Sequence, residues 1–578
     1  MANANATLAA TFAQMSDLMQ ILGHDPFRVN AYARAARTIE DLAIDLSTIG
    51  PDIKKLATVE GIGKGTAERI AEFLQTGHVK EHQELLALVP PGVLAMIALP
   101  GVGPKTAAML WKEAGIDTLE LLRAKAQTDE LTTLKGFGAK KLENLRKSLT
   151  IVEQASQRHL IGYVRPTAQW FVQQLEQLTG VSRAAYAGSL RRGRETVGDL
   201  DLLVACDPAH AIAVGQAFAK LEPVADVLAQ GPTKSSIRTR EGLQVDLRVV
   251  EPAQFGAALM YFTGSKEHNV QLRQRAIDQG MRLNEYGLLK DQQVVASATE
   301  EEIYAALDLA WVPPELREGR GELALAQART LPSLLSTTDI HAELHCHTTA
   351  SDGRFSIREL TQIAIELGYH TLAITDHSQS QTVAHGLKPA RLEQHIQDIR
   401  AVAREFHKQI NLLAGSEVDI LPDGKLDYPD SLLRELDLVV ASPHAALSQE
   451  PTKATTRLLK AMENRYVTIM GHPTGRLVNR REGMSPDMTQ IVAAAKERGI
   501  ALEINANTHR LDLRDSHARL AIESGVKLAI DTDAHSLPDL DQLIYGVLTA
   551  RRAGATAGDV INCMSRDALA TWIKSTRR

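Results

Sequence analysis

A stretch in the first half of the chain carries residue types suited to metal-dependent phosphate chemistry. Residues 188–204 contain a Gly-Ser turn, a basic loop that includes Arg192, and a strand that carries Asp199 and Asp201. Residues two apart in a strand point to the same face, so the two aspartates project together. Carboxylate oxygens favour Mg²⁺ or Mn²⁺, and the loop beside them suits a triphosphate. The Gly-Ser-Leu-Arg-Arg-Gly sequence upstream disfavours the alternative, which is a strand end with two solvated aspartates.

Histidines and acids recur at regular intervals in the C-terminal part of the chain. Strand-like and helix-like segments alternate there, which predicts a barrel with its site at the carboxyl ends of the strands. The predicted strands are Thr371–Thr375, Asn411–Ala414, Leu436–Ala441, Val467–Met470, Ile500–Ile504 and Lys527–Ile530. The polar clusters at strand ends are His345-Cys346-His347, Ser351-Asp352-Gly353, Asp376-His377-Ser378, Glu417-Val418-Asp419, Ser442-Pro443-His444, Gly471-His472-Pro473 and Asp533-Ala534-His535. One such histidine is more often a satisfied loop or core residue, but six beside three acids indicate a site for Zn, Mn or Fe.

A Gly-X-Gly pattern occurs three times in residues 1–150. The copies are centred on Ile62, Val102 and Phe137, and each precedes a helix-like segment. Paired glycines let backbone N–H groups approach a phosphate, and the helix N-terminus adds partial positive charge. The pattern is typical of helix-hairpin-helix units, which bind the DNA backbone without reading bases. A tight turn between packed helices is the alternative for any single copy. The predicted DNA contacts are Gly61, Gly63, Lys64, Gly101, Gly103 and Lys105.

The composition is that of a globular protein with several domains. At 578 residues the chain exceeds a single core, and about three or four domains are expected. The net charge is −6 and no region is strongly basic, which argues against a protein that coats duplex DNA but not against an enzyme that meets DNA transiently. The three scattered cysteines and the lack of a long apolar run predict a cytoplasmic, bacterial-type protein without a membrane partner. We further expect a monomer that associates with the nucleoid.

Residues 10–318 resemble family X DNA polymerases, the family of DNA polymerase beta. The matching segments are Asn30-Ala31-Tyr32, the first two Gly-X-Gly copies, Gly188-Ser189, Arg192-Gly193, Gly198-Asp199-Leu200-Asp201, Asp246, Tyr261 to Ser265 and Asn284-Glu285-Tyr286. The resemblance implies gapped or primer–template DNA and deoxynucleoside triphosphates as substrates. It also implies that Asp199, Asp201 and Asp246 bind two Mg²⁺ or Mn²⁺ ions, with Asp246 helping to activate the primer 3′-hydroxyl.

The same resemblance implies a set of nucleotide contacts. Ser189 and Arg192 would hold the β- and γ-phosphates, and a fixed arginine stabilises departing pyrophosphate. Tyr261 and Phe262 would pack beside the sugar, where Gly264 lets the backbone pass close. The full set is Gly188, Ser189, Arg192, Gly198, Tyr261, Phe262, Gly264, Asn269 and Arg273, of which the last two would face the minor groove of the base pair.

Two positions depart from the family pattern. Family members that remove a 5′-deoxyribose phosphate use a lysine on the first hairpin helix, and the matching position here is Arg69. A guanidinium stays protonated and cannot form a Schiff base, and Lys64 is near but misplaced, so we expect weak or absent lyase activity. Gln244 stands where the family often has an arginine beside the third aspartate, which would alter how Asp246 is oriented.

Residues 340–575 resemble the PHP (polymerase and histidinol phosphatase) domain. The resemblance implies a distorted (βα)₇ barrel that holds up to three Mn²⁺, Zn²⁺ or Fe²⁺ ions and hydrolyses phosphoesters. The implied ligands are His345, His347, Asp352, His377, Glu417, His444, His472, Asp533 and His535. Arg476 and Lys453 are candidate phosphate contacts.

These features predict a multidomain fold. A helical N-terminal region with helix-hairpin-helix units precedes an α+β nucleotidyltransferase palm and thumb, which a C-terminal PHP barrel follows. Residues 157–185 are predicted to be helical. The expected boundaries are 1–85 and 86–155 for the N-terminal domains, 156–255 for the palm, 256–318 for the nucleotide-selecting subdomain, 319–339 for a linker and 340–578 for the barrel.

The predicted function is a DNA polymerase that fills short gaps in DNA repair, joined to a metal-dependent 3′–5′ exonuclease. A 3′-phosphatase or an endonuclease at abasic sites are further options for the barrel. The main alternative is a PHP phosphoesterase acting on DNA, with the polymerase half serving as a DNA-binding module. The complete set of metal ligands disfavours a barrel that has only a structural role and no catalytic activity. The DNA-binding repeats on the same chain disfavour a phosphatase that acts on small molecules.

Overall fold

The chain divides into two units, 1–156 and 157–578. The computed structural model describes residues 4–41, 46–59, 62–97, 99, 101–134, 136–155 and 158–577. Among these residues, none of the helices is both long enough and apolar enough to cross a membrane.

Helices build the N-terminal unit. They are α1 Ala4–Leu22, α2 Pro26–Asp41, α3 Leu46–Ile49, α4 Ile53–Leu56, α5 Lys64–Thr76, α6 Lys80–Leu88, α7 Pro91–Ile97, α8 Pro104–Ala114, α9 Leu119–Ala126 and α10 Ala139–Ala155. As predicted, α5, α8 and α10 each begin directly after the second glycine of a Gly-X-Gly copy. The first glycine of the second copy, Gly101, has φ +80°, a conformation that favours glycine.

One hydrophobic core spans both of the expected N-terminal domains. Leu8, Met15 and Leu85 from residues 1–85 share it with Val93 and Leu110 from residues 86–155, and all five are buried. The two expected domains therefore fold together as one unit.

A five-stranded sheet forms the palm of the second unit. Its region contains β1 His159–Leu160, α11 Ile161–Glu176, β2 Val181–Tyr186, α12 Gly188–Arg191, β3 Thr196–Val197, β4 Asp199–Cys206, α13 Ala211–Phe218, β5 Val224–Gln230, β6 Lys234–Thr239 and β7 Gln244–Val250. The strand order is β2-β4-β7-β6-β5, and β4 pairs in parallel with β7 so that Asp201 lies opposite Asp246.

The helix predicted over residues 157–185 is wrong at both ends, since His159–Leu160 form β1. α11 ends at Glu176, and Val181–Tyr186 form β2 instead. Gly180 separates the two elements with φ +86°, a left-handed conformation that a helix cannot continue through. The new strand pairs antiparallel with β4 and so supports the strand that carries the aspartates.

The thumb follows the palm directly. It contains α14 Phe255–Thr263, α15 Lys266–Asp278, β8 Arg282–Asn284, β9 Gly287–Lys290, β10 Gln293–Ala296 and α16 Glu300–Ala306. Glu300, with a side chain 3% exposed, joins thumb to palm, because Arg191 and Arg317 each donate two hydrogen bonds to its carboxylate at 2.7–3.0 Å. Trp311 donates a further hydrogen bond to the same carboxylate.

The segment expected to be a linker, 319–339, contains regular structure. It contains α17 Glu322–Ala328, and Glu322 accepts from the backbone N–H groups of Gly319 and Arg320. Further along, the Leu335 N–H donates to the carbonyl of Ala555 at 3.1 Å. The segment is therefore attached to the barrel before the first barrel strand begins.

Seven parallel strands form the barrel in chain order. Its elements are β11 Ala342–Glu343, α18 Ile357–Glu366, β12 Thr371–Ile374, α19 Pro389–Phe406, β13 Asn411–Asp419, α20 Asp430–Leu433, β14 Leu438–Ser442, α21 Pro451–Met462, β15 Ile469–Met470, α22 Met488–Arg498, β16 Ala501–Asn505, α23 Asp515–Glu523, β17 Leu528–Asp531, α24 Leu537–Leu540, α25 Leu543–Ala553 and α26 Arg566–Thr576. A parallel bridge between Cys346 and Ala534 links the first strand region to the last. The predicted (βα)₇ barrel and its six predicted strands are confirmed, and β11 is the additional strand.

The barrel packs directly on the palm. Leu511 and Tyr545 of the barrel are buried in the palm core, with Leu548 against it. At Gly162 on α11 a Cβ would lie 2.6 Å from Cγ2 of Thr508, so the close approach of the two domains requires glycine there. Palm, thumb and barrel thus belong to one unit.

The Glu300 cluster provides a test of the palm–thumb junction. Burial alone would raise the pKa of the Glu300 carboxyl, but Arg191 and Arg317 more than offset it and hold that pKa well below its usual range. We expect Glu300→Gln to lower the free energy of unfolding by about 3–5 kcal/mol at neutral pH, because it leaves two buried guanidinium groups without their anion. Urea unfolding of the full chain measures this.

The control is Glu222→Gln, which removes an exposed partner of Arg240 and should change that free energy by about 0–1 kcal/mol. Because the folded-state pKa of Glu300 is depressed, its contribution is complete above the ordinary glutamate pKa and is lost as the pH falls toward the folded value. Equal midpoints for the two variants would contradict this account.

Candidate metal centres

Three carboxylates lie close together on two neighbouring inner strands of the palm sheet. Asp199 and Asp201 lie on β4, and the register places Asp246 of β7 directly opposite Asp201. Burial raises the pKa of Asp201 to about 7, and the charges of Asp199 and Asp246 act in the same direction. Ionising all three carboxylates together is unfavourable without added positive charge, so the arrangement suits divalent cations.

The loop before β4 approaches these carboxylates closely. Gly188 has φ +62°, and a Cβ there would lie 2.2 Å from Oδ2 of Asp201. Only glycine fits this position, which explains the Gly-Ser turn that the sequence places there. Ser189 and Gly198 are partly exposed on either side of the loop.

Arg192 is engaged by protein groups in this structure. Its Nε lies 3.0 Å from Oε1 of Glu318, and its guanidinium also donates to the Thr263 carbonyl. Its side chain is 14% exposed. Glu318 was not found from the sequence because it lies at the end of the thumb, far from the Gly-Ser motif.

Two further residues orient Asp246. Lys234 Nζ lies 3.0 Å from one carboxylate oxygen, and Gln244 Nε2 donates to the other at 3.1 Å. Burial alone would raise the pKa of Asp246, but hydrogen bonds from Lys234, Ser236 and Gln244 bring it below its usual value. Gln244 thus contacts Asp246 without adding positive charge, whereas Lys234 on β6 adds a positive charge beside the same carboxylate. No local sequence motif identifies Lys234. Predicting that β6 pairs with β7 would have placed it near Asp246.

The predicted sugar and minor-groove contacts lie where α14 meets α15. The rings of Tyr261 and Phe262 pack edge to face with centroids 5.2 Å apart. Asn269 donates to the Tyr261 carbonyl at 2.7 Å, and Arg273 donates weakly to the Asn269 carbonyl at 3.3 Å. A Cβ on Gly264 would lie 3.1 Å from Nη1 of Arg192, so this turn lies against the basic loop.

The second centre lies at the carboxyl ends of the barrel strands. Glu417 is fully buried at its middle, with one nitrogen each of four histidines within 2.7–3.4 Å of its oxygens. Three groups of side chains place their ligand atoms close enough to hold an ion. They are His347, Asp352, His377 and His535; His345, His347 and Asp533; and His377, Glu417 and His444. His472 lies 3.0 Å from Glu417, so all nine predicted residues come together.

Buried polar atoms in this cluster fit bound cations. Among the residues that the structure describes, Nε2 of His345, Nδ1 of His347 and Oδ1 of Asp352 are buried without a hydrogen-bond partner. Nδ1 of His377 and Oε2 of Glu417 lie 2.7 Å apart, yet neither has a hydrogen bond. Buried donors and acceptors normally have partners, so atoms that converge without them suit metal ligation.

The electrostatics of the cluster agree with this fit. Burial lowers the pKa of His347 to about 4, with His535 and His377 adding to the effect, so His347 is neutral and able to ligate. Burial also opposes the charged form of His444, but Glu417 and Asp419 raise its pKa to about 10. The buried acids therefore favour positive charge inside the cluster. Bound cations would supply that charge in place of protons on the histidines.

Glu503 and Asn505 were not found from the sequence, and Asp419 was found in a strand-end cluster without a role. Glu503 lies 2.6 Å from Nδ1 of His345, and Asp419 lies 2.6 Å from Nδ1 of His444. Asn505 donates to Asp533 at 3.0 Å. Such partners fix the orientation of ligand side chains. A position at a strand end does not by itself distinguish these partners from the ligands.

Arg476, a predicted phosphate contact, is engaged by protein groups in this structure. Its Nη2 lies 2.7 Å from Oε2 of Glu195 in the palm, and it also donates to the Leu511 carbonyl. With a side chain 4% exposed, Arg476 connects the barrel to the palm. Lys453 is exposed on α21.

The predicted DNA contacts of the N-terminal unit are exposed. Gly63 and Gly103 are the N-cap residues of α5 and α8, and Lys64 and Lys105 are exposed in the first turns. The first backbone N–H groups of a helix lack helical partners and can bind a phosphate. Gly101 is exposed as well, and Gly61 lies outside the described residues.

Arg69 is bound to an acid on the neighbouring helix. Its Nε lies 2.5 Å from Oε2 of Glu81, and its Nη1 donates to the Gly65 carbonyl at 2.8 Å. Tyr32 donates to the same carboxylate at 2.6 Å, and Arg28 forms an ion pair with it. Glu81 therefore pairs with both Arg69 and Arg28, and its single negative charge offsets one of their two positive charges.

Family models cover most of the chain. Residues 3–79 match a helix-hairpin-helix domain, 93–150 a SAM-like helix-hairpin-helix tandem, 258–318 the DNA polymerase beta thumb and 343–507 the PHP domain. These matches agree with the helical unit, the thumb and the barrel.

Three relatives extend the comparison. DNA polymerase/3′-5′ exonuclease PolX of Bacillus subtilis is 38% identical over 560 residues, 96% of this chain and 97% of that protein. A probable phosphatase of Thermoanaerobacter is 30% identical over 38% of this chain and 89% of its own length. DNA polymerase lambda of Rattus norvegicus is 26% identical over 51% of this chain and 53% of its own length. The full-length match shows that the chain belongs to the PolX family, the family X DNA polymerases that carry a C-terminal PHP domain.

Proposed function

We propose that the chain fills short gaps in DNA during repair and trims 3′ ends with a separate, metal-dependent exonuclease site. The observation that carries this proposal is the presence of two centres rich in ligand side chains within one folded unit, one in the palm and one in the barrel. Gapped or primer–template DNA and deoxynucleoside triphosphates would be the substrates, and the chain would act as a monomer. The full-length similarity to a relative named as both polymerase and exonuclease supports the pairing.

In the palm, Asp199, Asp201 and Asp246 would hold two Mg²⁺ or Mn²⁺ ions. Bound ions would stabilise the attacking and leaving oxygens of phosphoryl transfer. Asp246, oriented by Lys234 and Gln244, would lie nearest the primer 3′-hydroxyl. Ser189 and Arg192 would hold the triphosphate, with Gly188 and Gly198 allowing close approach of the backbone.

Around the nucleotide, the thumb would complete the pocket. Tyr261 and Phe262 would pack beside the sugar, next to Gly264. Asn269 and Arg273 would face the minor groove of the base pair.

In the barrel, the nine residues of the cluster would hold up to three Mn²⁺, Zn²⁺ or Fe²⁺ ions. Bound ions would lower the pKa of a water molecule and stabilise a phosphate oxyanion. The neutral His347 and the buried Glu417 would ligate, while Glu503 and Asp419 orient their histidine partners. The similarity to probable phosphatases favours 3′-phosphatase activity as a second reaction of this centre.

Separation of the two activities tests the proposal. On one end-labelled, gapped DNA with Mg²⁺ or Mn²⁺, Asp201→Ala should stop extension and leave degradation intact, and His347→Ala should do the reverse. We expect each variant to lose more of the affected activity than the roughly 10–100-fold that is lost when a residue that only orients a metal ligand is changed. Degradation that survives in His347→Ala would show that the nuclease site does not lie in the barrel. Extension that survives in Asp201→Ala would show that the aspartates of the palm are not the polymerase site. No extension by the unmodified chain would leave the palm as a DNA-binding module, the main alternative.

Lys234 supplies a second test. Lys234→Met should reduce extension by roughly 10–100-fold, because Asp246 loses the cation that holds its carboxylate. The matched control, Arg240→Met, removes an exposed cation close to the same strand and should extend as the unmodified protein does. Primer extension under single-turnover conditions provides the rate, and equal rates for both variants would refute a role for Lys234.

The pairing of Arg69 with Glu81 bears on lyase activity. We expect little or no covalent trapping of the N-terminal unit when borohydride is added with DNA that carries a 5′-deoxyribose phosphate, since no amine occupies the Arg69 position. Mass mapping of the cross-link after proteolysis is the measurement. Efficient trapping within residues 1–155 is the opposite result, and it would identify a lysine elsewhere in that unit as the nucleophile.

A further inference from the structure

A helix of the barrel contacts the basic loop of the palm. Arg552, near the C-terminal end of α25, is 4% exposed and donates through Nη1 to the Arg192 carbonyl at 2.7 Å. The same Nη1 lies 2.8 Å from Oε1 of Glu318, and Nη2 lies 2.9 Å from Asp515. A residue of the barrel thus contacts the backbone of the predicted triphosphate arginine directly.

Glu318 is shared between the two arginines. Its Oε1 accepts from Nε of Arg192 at 3.0 Å and from Nη1 of Arg552 at 2.8 Å, while Arg194 lies 3.4 Å from its other oxygen. Burial alone would raise the pKa of this carboxyl, but Arg552 and then Arg192 bring it below the usual value, so Glu318 is ionised at neutral pH. An anion shared by two guanidinium groups holds each less tightly than an anion paired with one.

Packing fixes α25 at this distance from the loop. Gly193 has φ +67°, and a Cβ there would lie 3.4 Å from Leu548 and 3.6 Å from Cδ of Arg552. Tyr545 and Leu548 of the same helix pack against the palm core. The packing of α25 on the palm therefore places Arg552 against the loop.

We propose that Arg552 is a positioning residue for nucleotide binding in the palm: by sharing Glu318 and holding the Arg192 carbonyl, it keeps the Arg192 guanidinium free to exchange Glu318 for a nucleoside triphosphate. This inference rests on the proposed polymerase function. Without Arg552, the charge of Glu318 acts on Arg192 more strongly, and the triphosphate must compete with a tighter buried ion pair. The loop also loses one of the groups that hold its backbone.

The test is single-nucleotide insertion into gapped DNA by the full chain. Arg552→Gln should raise the KM for the nucleotide about tenfold, with a smaller change in kcat, since a charged hydrogen-bond partner of Glu318 is lost. Arg552→Lys should recover part of this loss because the positive charge returns. Asp515→Asn, the matched control, removes the other partner of Arg552 and should leave the KM within about twofold, because Glu318 is untouched.

Glu318 distinguishes positioning from a purely structural role. Glu318→Gln should lower the KM for the nucleotide, because the anion that competes with the triphosphate for Arg192 is lost. In the double variant with Arg552→Gln, the KM should be only slightly higher than in Glu318→Gln. Degradation of single-stranded DNA by each variant reports an intact barrel. If Arg552→Gln fails to fold, Glu318→Gln keeps the inference falsifiable: a raised KM there overturns it, because Glu318 would then not compete with the triphosphate for Arg192.

Two results separate this inference from the proposed function. If the unmodified chain extends the primer and Arg552→Gln has an unchanged KM, Arg552 has no positioning role although the polymerase function stands. If Arg552→Gln lowers kcat equally with and without Glu318→Gln, its role is structural and the inference is wrong. If the unmodified chain does not extend at all, the polymerase function fails, and this inference fails with it.

Discussion

Negative charges held close together are the constraint on which both centres depend. In the palm, the parallel register of β4 and β7 puts Asp201 opposite Asp246, and their mutual repulsion adds to the effect of burial on the pKa of Asp201. In the barrel, Glu417 lies fully buried among histidine nitrogens, several of which have no hydrogen bond in the described structure. Each arrangement is stable only with positive charge beside it. Lys234 supplies part of that charge in the palm, and divalent cations would supply the rest in both centres.

The same principle organises the junction between the domains. Glu300, Glu318 and Glu195 each bind at least one arginine across a boundary, and Glu300 is buried. The segment that follows β16 brings the two centres into one framework: Leu511 lies in the palm core, while Arg510 lies 3.6 Å from Asp533 of the barrel cluster. The barrel is therefore built into the polymerase half, and a residue such as Arg552 can influence chemistry in a domain to which it does not belong.

Much of this could be predicted from the sequence, because ligand types at strand ends are local signals. The aspartates of β4, the Gly-X-Gly helix starts and the histidines after successive barrel strands follow from spacing alone. Residues that act across space were missed: Lys234 reaches Asp246 only through strand pairing, and Glu318 reaches Arg192 only through the fold of the thumb. The partner of Arg476 was missed for the same reason, since Glu195 lies in the palm. Likewise, helical periodicity did not reveal that α11 ends at Glu176, before Gly180 and β2.

The central claim is that the chain has two separate metal centres, and locating bound Mn²⁺ tests it most directly. Crystals grown with Mn²⁺, gapped DNA and a non-hydrolysable deoxynucleoside triphosphate would show the ions by anomalous scattering. The account predicts ions within bonding distance of Asp201 and Asp246 and a second group of ions among His347, Glu417 and Asp533. Anomalous density at one centre only, with the side chains of the other paired among themselves, would contradict it.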